Sequence, residues 1–151
     1  MTGLMRLKGA LGVVLVVGVV LSVGMAGGER EGTREKAMQV RFLEIVTPEL
    51  EATVATLEAV HGVTFGEAVP ELGNARTAAL RDGGVVSVRA PMRSTETPVV
   101  RPYVLTDDID AAVKAAKGQG AEIAIGPMEI PGQGRFAIYI LGGIEHGLWE
   151  D

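Results

Sequence analysis

The amino-acid sequence predicts an α+β fold made of two copies of one strand-helix-strand-strand-strand unit. Three observations carry that expectation: an internal repeat, a matching order of local signals in its two halves, and a composition suited to one ordered core. From about Val40 the chain repeats itself at a constant offset of 59 residues. Val40 matches Val99, Thr47 Thr106, Ala52 Ala111, Val54 Val113, Gly73 Gly132, Arg76 Arg135, Ala78 Ala137, and Gly83-Gly84 Gly142-Gly143. Conservative pairs keep the register: Glu49 with Asp108, Leu50 with Ile109, Glu51 with Asp110, Val85 with Ile144. A long period seen only twice is too short an array for a solenoid and predicts two similar halves closing around one site.

The first half, residues 38–92, opens on Val40-Arg-Phe-Leu-Glu-Ile-Val46, a strand rich in branched and aromatic side chains. Thr47-Pro48 then starts a helix: the Thr47 hydroxyl suits a cap, Pro48 the first helical position, and Glu49 and Glu51 the positive end of the dipole. Leu50, Val54, Leu57 and Val60 supply its apolar stripe, and His61-Gly62 ends it, with Gly62 as a left-handed cap. Strands are expected near 63–68, 75–81 and 84–90, the last two joined by the hairpin signal Asp82-Gly83. The second half, residues 99–151, repeats the order. A strand over 100–105 leads to Thr106-Asp107-Asp108 and to a helix with Ile109, Val113 and Ala116 on one face, ending at Gly118 to Gly120. Strands near 121–125, 134–141 and 144–150 follow, with Gly142-Gly143 at the last turn.

Length allows one domain and a leader: 151 residues, 47% hydrophobic and 22% charged, read as a single ordered core. There is no Cys, which excludes disulfides, thiolate nucleophiles and cysteine-based zinc sites. In residues 1–28, Arg6 and Lys8 precede an uncharged run over 9–28 with small residues at Gly24 and Ala26. That order predicts a secretory signal peptide cut after Ala26, or an uncleaved membrane anchor over 9–28 with its basic end in the cytoplasm. Both export the domain; the alternative is a cytoplasmic protein whose true start is Met38. Residues 29–37 read as a charged, solvated linker. Arg6 and Lys8 are the only charges of the leader, so 12 basic and 19 acidic residues remain beyond it, 12 − 19 = −7. So acidic a domain, with one Trp, two Tyr and three Phe, is no nucleic-acid binder.

The paired units, with Val-Thr-Pro-Glu-Leu-Glu (46–51) and Leu-Thr-Asp-Asp-Ile-Asp-Ala-Ala (105–112) opening the helices, resemble the vicinal-oxygen-chelate superfamily. So do the stretch 127–137 and the closing Gly-Leu-Trp-Glu (147–150). Glyoxalase I, extradiol dioxygenases and bleomycin-resistance proteins belong to that superfamily. The resemblance covers 38–151. It implies a half-open mixed sheet barrel around one cavity, a small-molecule ligand and a homodimer. Its members often hold a divalent metal on side chains of the first and last strand of each module.

Carried over, the first-strand positions fall on Glu44 and Tyr103, and the last-strand positions on Ser87 or Val88 and on His146 or Gly147. One register gives Glu44, Ser87, Tyr103 and His146; the other leaves Glu44 as the sole ordinary ligand. A catalytic metal needs about three protein ligands, so no metal and no cofactor is expected. Glu44 interrupts an apolar strand, where a carboxylate needs a partner. It reads either as a general base or ligand-anchoring acid that favours a cationic or hydrogen-bond-donating ligand, or as one member of an ion pair with Arg101, Arg89 or Arg135. Tyr103 is a ligand donor or barrel wall. His146, on the final strand, is a functional candidate or an exposed hairpin residue. Trp149 covers one end of the cavity or joins the core. His61, at a helix C-terminus, is structural. No P-loop, dinucleotide fingerprint or Ser-His-Asp arrangement is present. The expected function is a metal-free small-molecule binding protein. A metal-independent lyase, isomerase or hydrolase-like enzyme with Glu44 as base comes second, and a metal-dependent glyoxalase or dioxygenase third.

Overall fold

The structure is a computed structural model that describes residues 37–151; the leader and nearly all of the linker lie outside the described residues. Among those residues no helix is long and apolar enough to cross a membrane. The first module holds strand β1 (Val40–Val46), helix α1 (Leu50–His61), a 3-10 turn (Pro70–Leu72), β2 (Arg76–Ala79) and β3 (Val85–Arg89). The second holds β4 (Val99–Leu105), α2 (Ile109–Gly118), β5 (Glu122–Ile130), β6 (Gly134–Leu141) and β7 (Ile144–Glu150). They form one seven-stranded mixed sheet in the order β2-β3-β1-β4-β7-β6-β5. The modules meet where β1 and β4 run antiparallel, and each of these strands has its own module's last strand as a parallel neighbour on its outer side. The α+β fold of two related modules is therefore present, with the sheet open between its edge strands β2 and β5.

The strand expected over 63–68 does not form. Its backbone groups find side chains instead of a ladder: the Phe65 amide donates to Glu58 Oε1 at 2.8 Å, and the Arg76 guanidinium donates to the carbonyls of Gly66 and Phe65 at 3.0 and 3.2 Å. What remains of the pairing is one backbone bond, from the Gly66 amide to the Thr77 carbonyl at 2.9 Å, and one bridge, Val69 to Ala75. In the second module the corresponding region grows into the nine-residue β5. Pro127 and two register shifts interrupt that edge strand, which hinders another chain from adding to it.

The helix entries differ too. In α2, Asp108 is the cap, its carboxylate accepting from the Ala111 amide at 2.9 Å. In α1, Thr47 accepts from the Glu49 amide only two residues on, at 3.1 Å, so it shapes a turn and the helix begins at Leu50. Gly62 closes α1 in the left-handed conformation as expected, φ +65°. Both residues of the Gly142-Gly143 turn also have positive φ, as the tight hairpin between β6 and β7 requires. One ion pair is repeated across the modules: the guanidinium at the start of a strand holds the acid of its helix's first turn, Arg76 to Glu51 at 3.2 Å and Arg135 to Asp110 at 3.0 Å.

The sheet divides the core in two. On the helix side of the first module, Val54, Phe65, Ala78 and Val88 form a cluster joined by Ile45, Leu50 and Leu57. Each fully buried Val there is worth about 1.5–3 kcal/mol of transfer free energy. On the opposite side, Phe42, Tyr103, Ile138 and Trp149 are buried together, with Leu72, Val85, Phe136 and Ile130 against them. Trp149 stacks on Phe42 at 4.9 Å and meets Tyr103 edge-on at 6.1 Å. Trp149 thus belongs to the core.

Candidate functional site

Strand periodicity decides which side chains share the face of the sheet opposite the helices. Phe42, Glu44 and Val46 alternate inward along β1, and the cross-strand partners of Glu44 are Ser87 on β3 and Arg101 on β4. Tyr103 follows Arg101 two residues on, and its partner on β7 is Gly147. Glu44, Ser87 and Tyr103 therefore come together, whereas Val88 turns to the helix-side cluster. The counterpart of Ser87 in the second module is Gly147, one residue beyond the constant offset. His146 consequently faces the other side of the sheet, where it stacks on Tyr139 with ring centroids 4.9 Å apart. His146 is thus no neighbour of Glu44.

Gly147 is required there. A Cβ built on it would fall well inside van der Waals contact of the Tyr103 ring and 2.8 Å from the Pro102 carbonyl oxygen. The ring of Tyr103 thus fills the space that a side chain at 147 would need.

Around Glu44 the structure builds a chain of alternating charges: Glu96, Arg89, Glu44, Arg101, Glu145. Arg89 Nε donates to Glu44 Oε1 at 2.7 Å, and its two terminal nitrogens grip Glu96 at 2.9 and 2.6 Å. Arg101 donates to Glu44 Oε2 and, with Nε at 2.8 Å and its second terminal nitrogen, to Glu145. The Tyr103 hydroxyl donates to the same Glu44 Oε2 at 3.0 Å. Glu44, Arg89 and Arg101 are all buried, and among the described residues no buried side-chain polar atom lacks a hydrogen-bond partner. Arg135, the third candidate partner, lies elsewhere, bound to Glu150 and Asp110.

The electrostatics follow from that geometry. Burial works against the charge of Arg89, but Glu96 and Glu44 more than restore it, and the guanidinium stays cationic. Arg101 is held above its ordinary range in the same way: burial again opposes the charge, and Tyr103, Glu145 and Glu44 outweigh it. Burial, then the charge of Glu44, pushes the Tyr103 phenol up, so it remains a donor. Glu96 is lowered to about 2, chiefly by its hydrogen bonds from Arg89. The donor set does not fit a divalent metal: the positions that would hold one carry Glu44, Ser87, Tyr103 and Gly147, and two cations already occupy the only carboxylate among them. Among the described residues no group of three or more His, Asp or Glu could hold a metal ion.

Two members of the chain were not singled out from sequence. Glu96 lies between modules and carries no periodic signal. Glu145 was legible: if Trp149 is inward on a strand, Gly147 and Glu145 are inward too, and His146 cannot be. His61 ends α1 and is exposed. A concavity of about 760 Å³ lies away from the charges, between α2 and the outer face of β6 and β7, lined by Ala111, Ala115, Tyr139 and Leu148.

Comparison with known proteins matches the fold. No family model matches the chain, and no curated protein does. Among solved structures, a hypothetical protein of Bacillus halodurans superposes with a TM-score of 0.63 at 10% identity, over 77% of this chain and 96% of that one. A methylmalonyl-CoA epimerase of Streptomyces coelicolor, in complex with 2-nitronate-propionyl-CoA, gives 0.55 at 18% identity over 75% and 96%. The epimerase of Mycobacterium tuberculosis gives 0.56 at 16% over 72% and 85%. The fold is the one these solved structures share. At these identities the likeness concerns architecture alone.

Proposed function

We propose that the protein is a metal-free small-molecule binding protein whose ionic centre receives a ligand without transforming it. The observation that carries this reading is the double occupation of Glu44. A general base needs an oxygen free to face the proton it removes, and both oxygens of Glu44 are taken by guanidiniums, one also by a phenol. The likeness to methylmalonyl-CoA epimerases favours a second reading, a metal-independent isomerase with Glu44 as base. That reading requires Arg89, or Arg101 and Tyr103 together, to let go first.

The sequence-level preference for a cationic ligand at Glu44 is revised. Two buried cations neutralise that carboxylate, so it offers a cation no free partner. Export by the leader is part of the same proposal, and N-terminal sequencing after fractionation tests it; a cytosolic product beginning at Met38 overturns it. For the function, native mass spectrometry of the full-length protein from its own host is the decisive measurement. The expected result is a co-purifying small molecule released unchanged. Turnover of that molecule, abolished by Glu44→Gln with the fold retained, overturns the binding reading in favour of the isomerase.

A further inference from the structure

We infer that Arg89 is the receptor for a small organic carboxylate with an apolar body, and that Glu96 holds the place of that carboxylate when the ligand is away. The inference rests on the metal-free binding function proposed above and names the chemistry of its ligand.

Of the five charges in the chain, four stand on strands: Glu44 on β1, Arg89 on β3, Arg101 on β4 and Glu145 on β7. Glu96 alone is carried by the connection between modules, residues 90–98, which has no helix or strand. It is the one carboxylate that can leave without breaking a ladder. Its grip on Arg89 is the two-pronged contact by which a guanidinium receives any carboxylate, at 2.9 and 2.6 Å. The Glu96 side chain is 20% exposed and that of Arg89 5%. Solvent therefore meets the carboxylate first, with the guanidinium directly beneath it.

The surroundings supply the apolar half of the site. Met92, on the same connection, takes its place over Gly73, where an added Cβ would stand 3.1 Å from the Met92 sulfur and 3.4 Å from Arg89 Cδ. Leu72 is next to Gly73 in the chain and belongs to the aromatic cluster of Phe42 and Trp149. A bond from the Met92 amide to Glu96 at 2.7 Å ties the thioether and the carboxylate into one strap. When the strap lifts, both leave together, opening a guanidinium beside apolar surface. Arg89 decides the sign of the ligand: once Glu96 leaves, its two terminal nitrogens face no carboxylate, and an incoming anion restores the arrangement of the closed state. The exchange is carboxylate for carboxylate, with no bond made or broken.

The test uses the full-length chain as wild type, Glu96→Gln, and Glu96→Gln with Arg89→Lys. Each is titrated calorimetrically with butyrate, butylammonium and sulfate at constant ionic strength. Glu96→Gln is expected to bind butyrate at least about tenfold more tightly than wild type, with the gain lost in the double variant, because lysine cannot reproduce the two-pronged contact. Equal butyrate affinity in wild type and Glu96→Gln overturns the inference. So does a preference for butylammonium, or sulfate binding as tight as butyrate. Should Glu96→Gln melt without cooperativity, limited proteolysis of wild type replaces it: butyrate should speed cleavage within 90–98, and unchanged cleavage overturns the inference. A non-carboxylate ligand found by native mass spectrometry would sink this inference and leave the binding function standing. The absence of any co-purifying small molecule would sink the function itself.

Discussion

The two modules place equivalent backbone at the centre of the sheet and fill it with opposite chemistry. β1 brings an acid, Glu44; β4 brings a guanidinium and a phenol, Arg101 and Tyr103, which bind that acid. The last strands diverge as well: where β3 carries Ser87, β7 carries Gly147, and the Tyr103 ring takes the vacated volume. The frame is symmetric, and the residues at two equivalent positions are complementary rather than alike. A site that needs like ligands from both halves, as a metal does, does not fit such a pair. A link between the halves does.

The largest effect should come from cutting that link. Arg101→Met leaves buried Glu44 with Arg89 and Tyr103 alone and is expected to cost about 3–5 kcal/mol in urea unfolding, as for breaking a buried pair from one side. Replacing the whole centre with apolar residues, Glu44→Leu with Arg89→Met and Arg101→Met, should recover most of that loss. If the single variant is as stable as wild type, the two modules are not held by this centre.

Next comes the asymmetry of the last strands. Gly147→Ala should cost about 1–3 kcal/mol by overpacking. Ser87→Ala, at the equivalent place, loses only a 3.5 Å contact to the Leu43 carbonyl and should cost under about 1 kcal/mol. Equal costs would mean that Tyr103 is not pressed against β7.

A pH titration separates the strap from the strands. The carboxyl of Glu96 is held at about 2 in the folded chain against an ordinary 4.5. Its contribution to stability is therefore complete above about 4.5 and is lost as pH falls towards 2. Proteolytic sensitivity of residues 90–98 should rise over that window, and Glu96→Gln should make it high and independent of pH. A flat profile in wild type would remove Glu96 as the latch.

The smallest difference lies at the helix entries. Asp108→Ala removes a true cap and should lower stability by about 1 kcal/mol. Thr47→Ala, which removes a turn contact only, should cost a few tenths. Thermal melts of the two variants are enough to tell.

Much of this architecture was legible in the chain. The repeat announced two modules, the apolar stripes both helices, and paired glycines the last hairpin. Even the buried fate of Glu44 was one of two readings, with Arg101 and Arg89 named as partners. Legibility failed where side chains replaced ladders, as at 63–68, where Glu58 and Arg76 satisfy the backbone. It failed also at the last strand, because a repeat matched without gaps cannot show that β7 has slipped by one residue against β4.

By itself, the sequence determined the elements, their duplication and the shortage of metal ligands, because hydrophobic period, turn chemistry and residue type act over a few neighbours. Only the tertiary structure decided that Glu96, from a connection without secondary structure, and Glu145, from the far end of the chain, complete the charge alternation around Glu44. Such partners are separated by 44 to 57 positions along the chain, except Arg89 and Glu96 at 7. The pairing is enforced by burial: a carboxylate inside the sheet must find its cations wherever folding brings them, and local sequence carries no record of that choice.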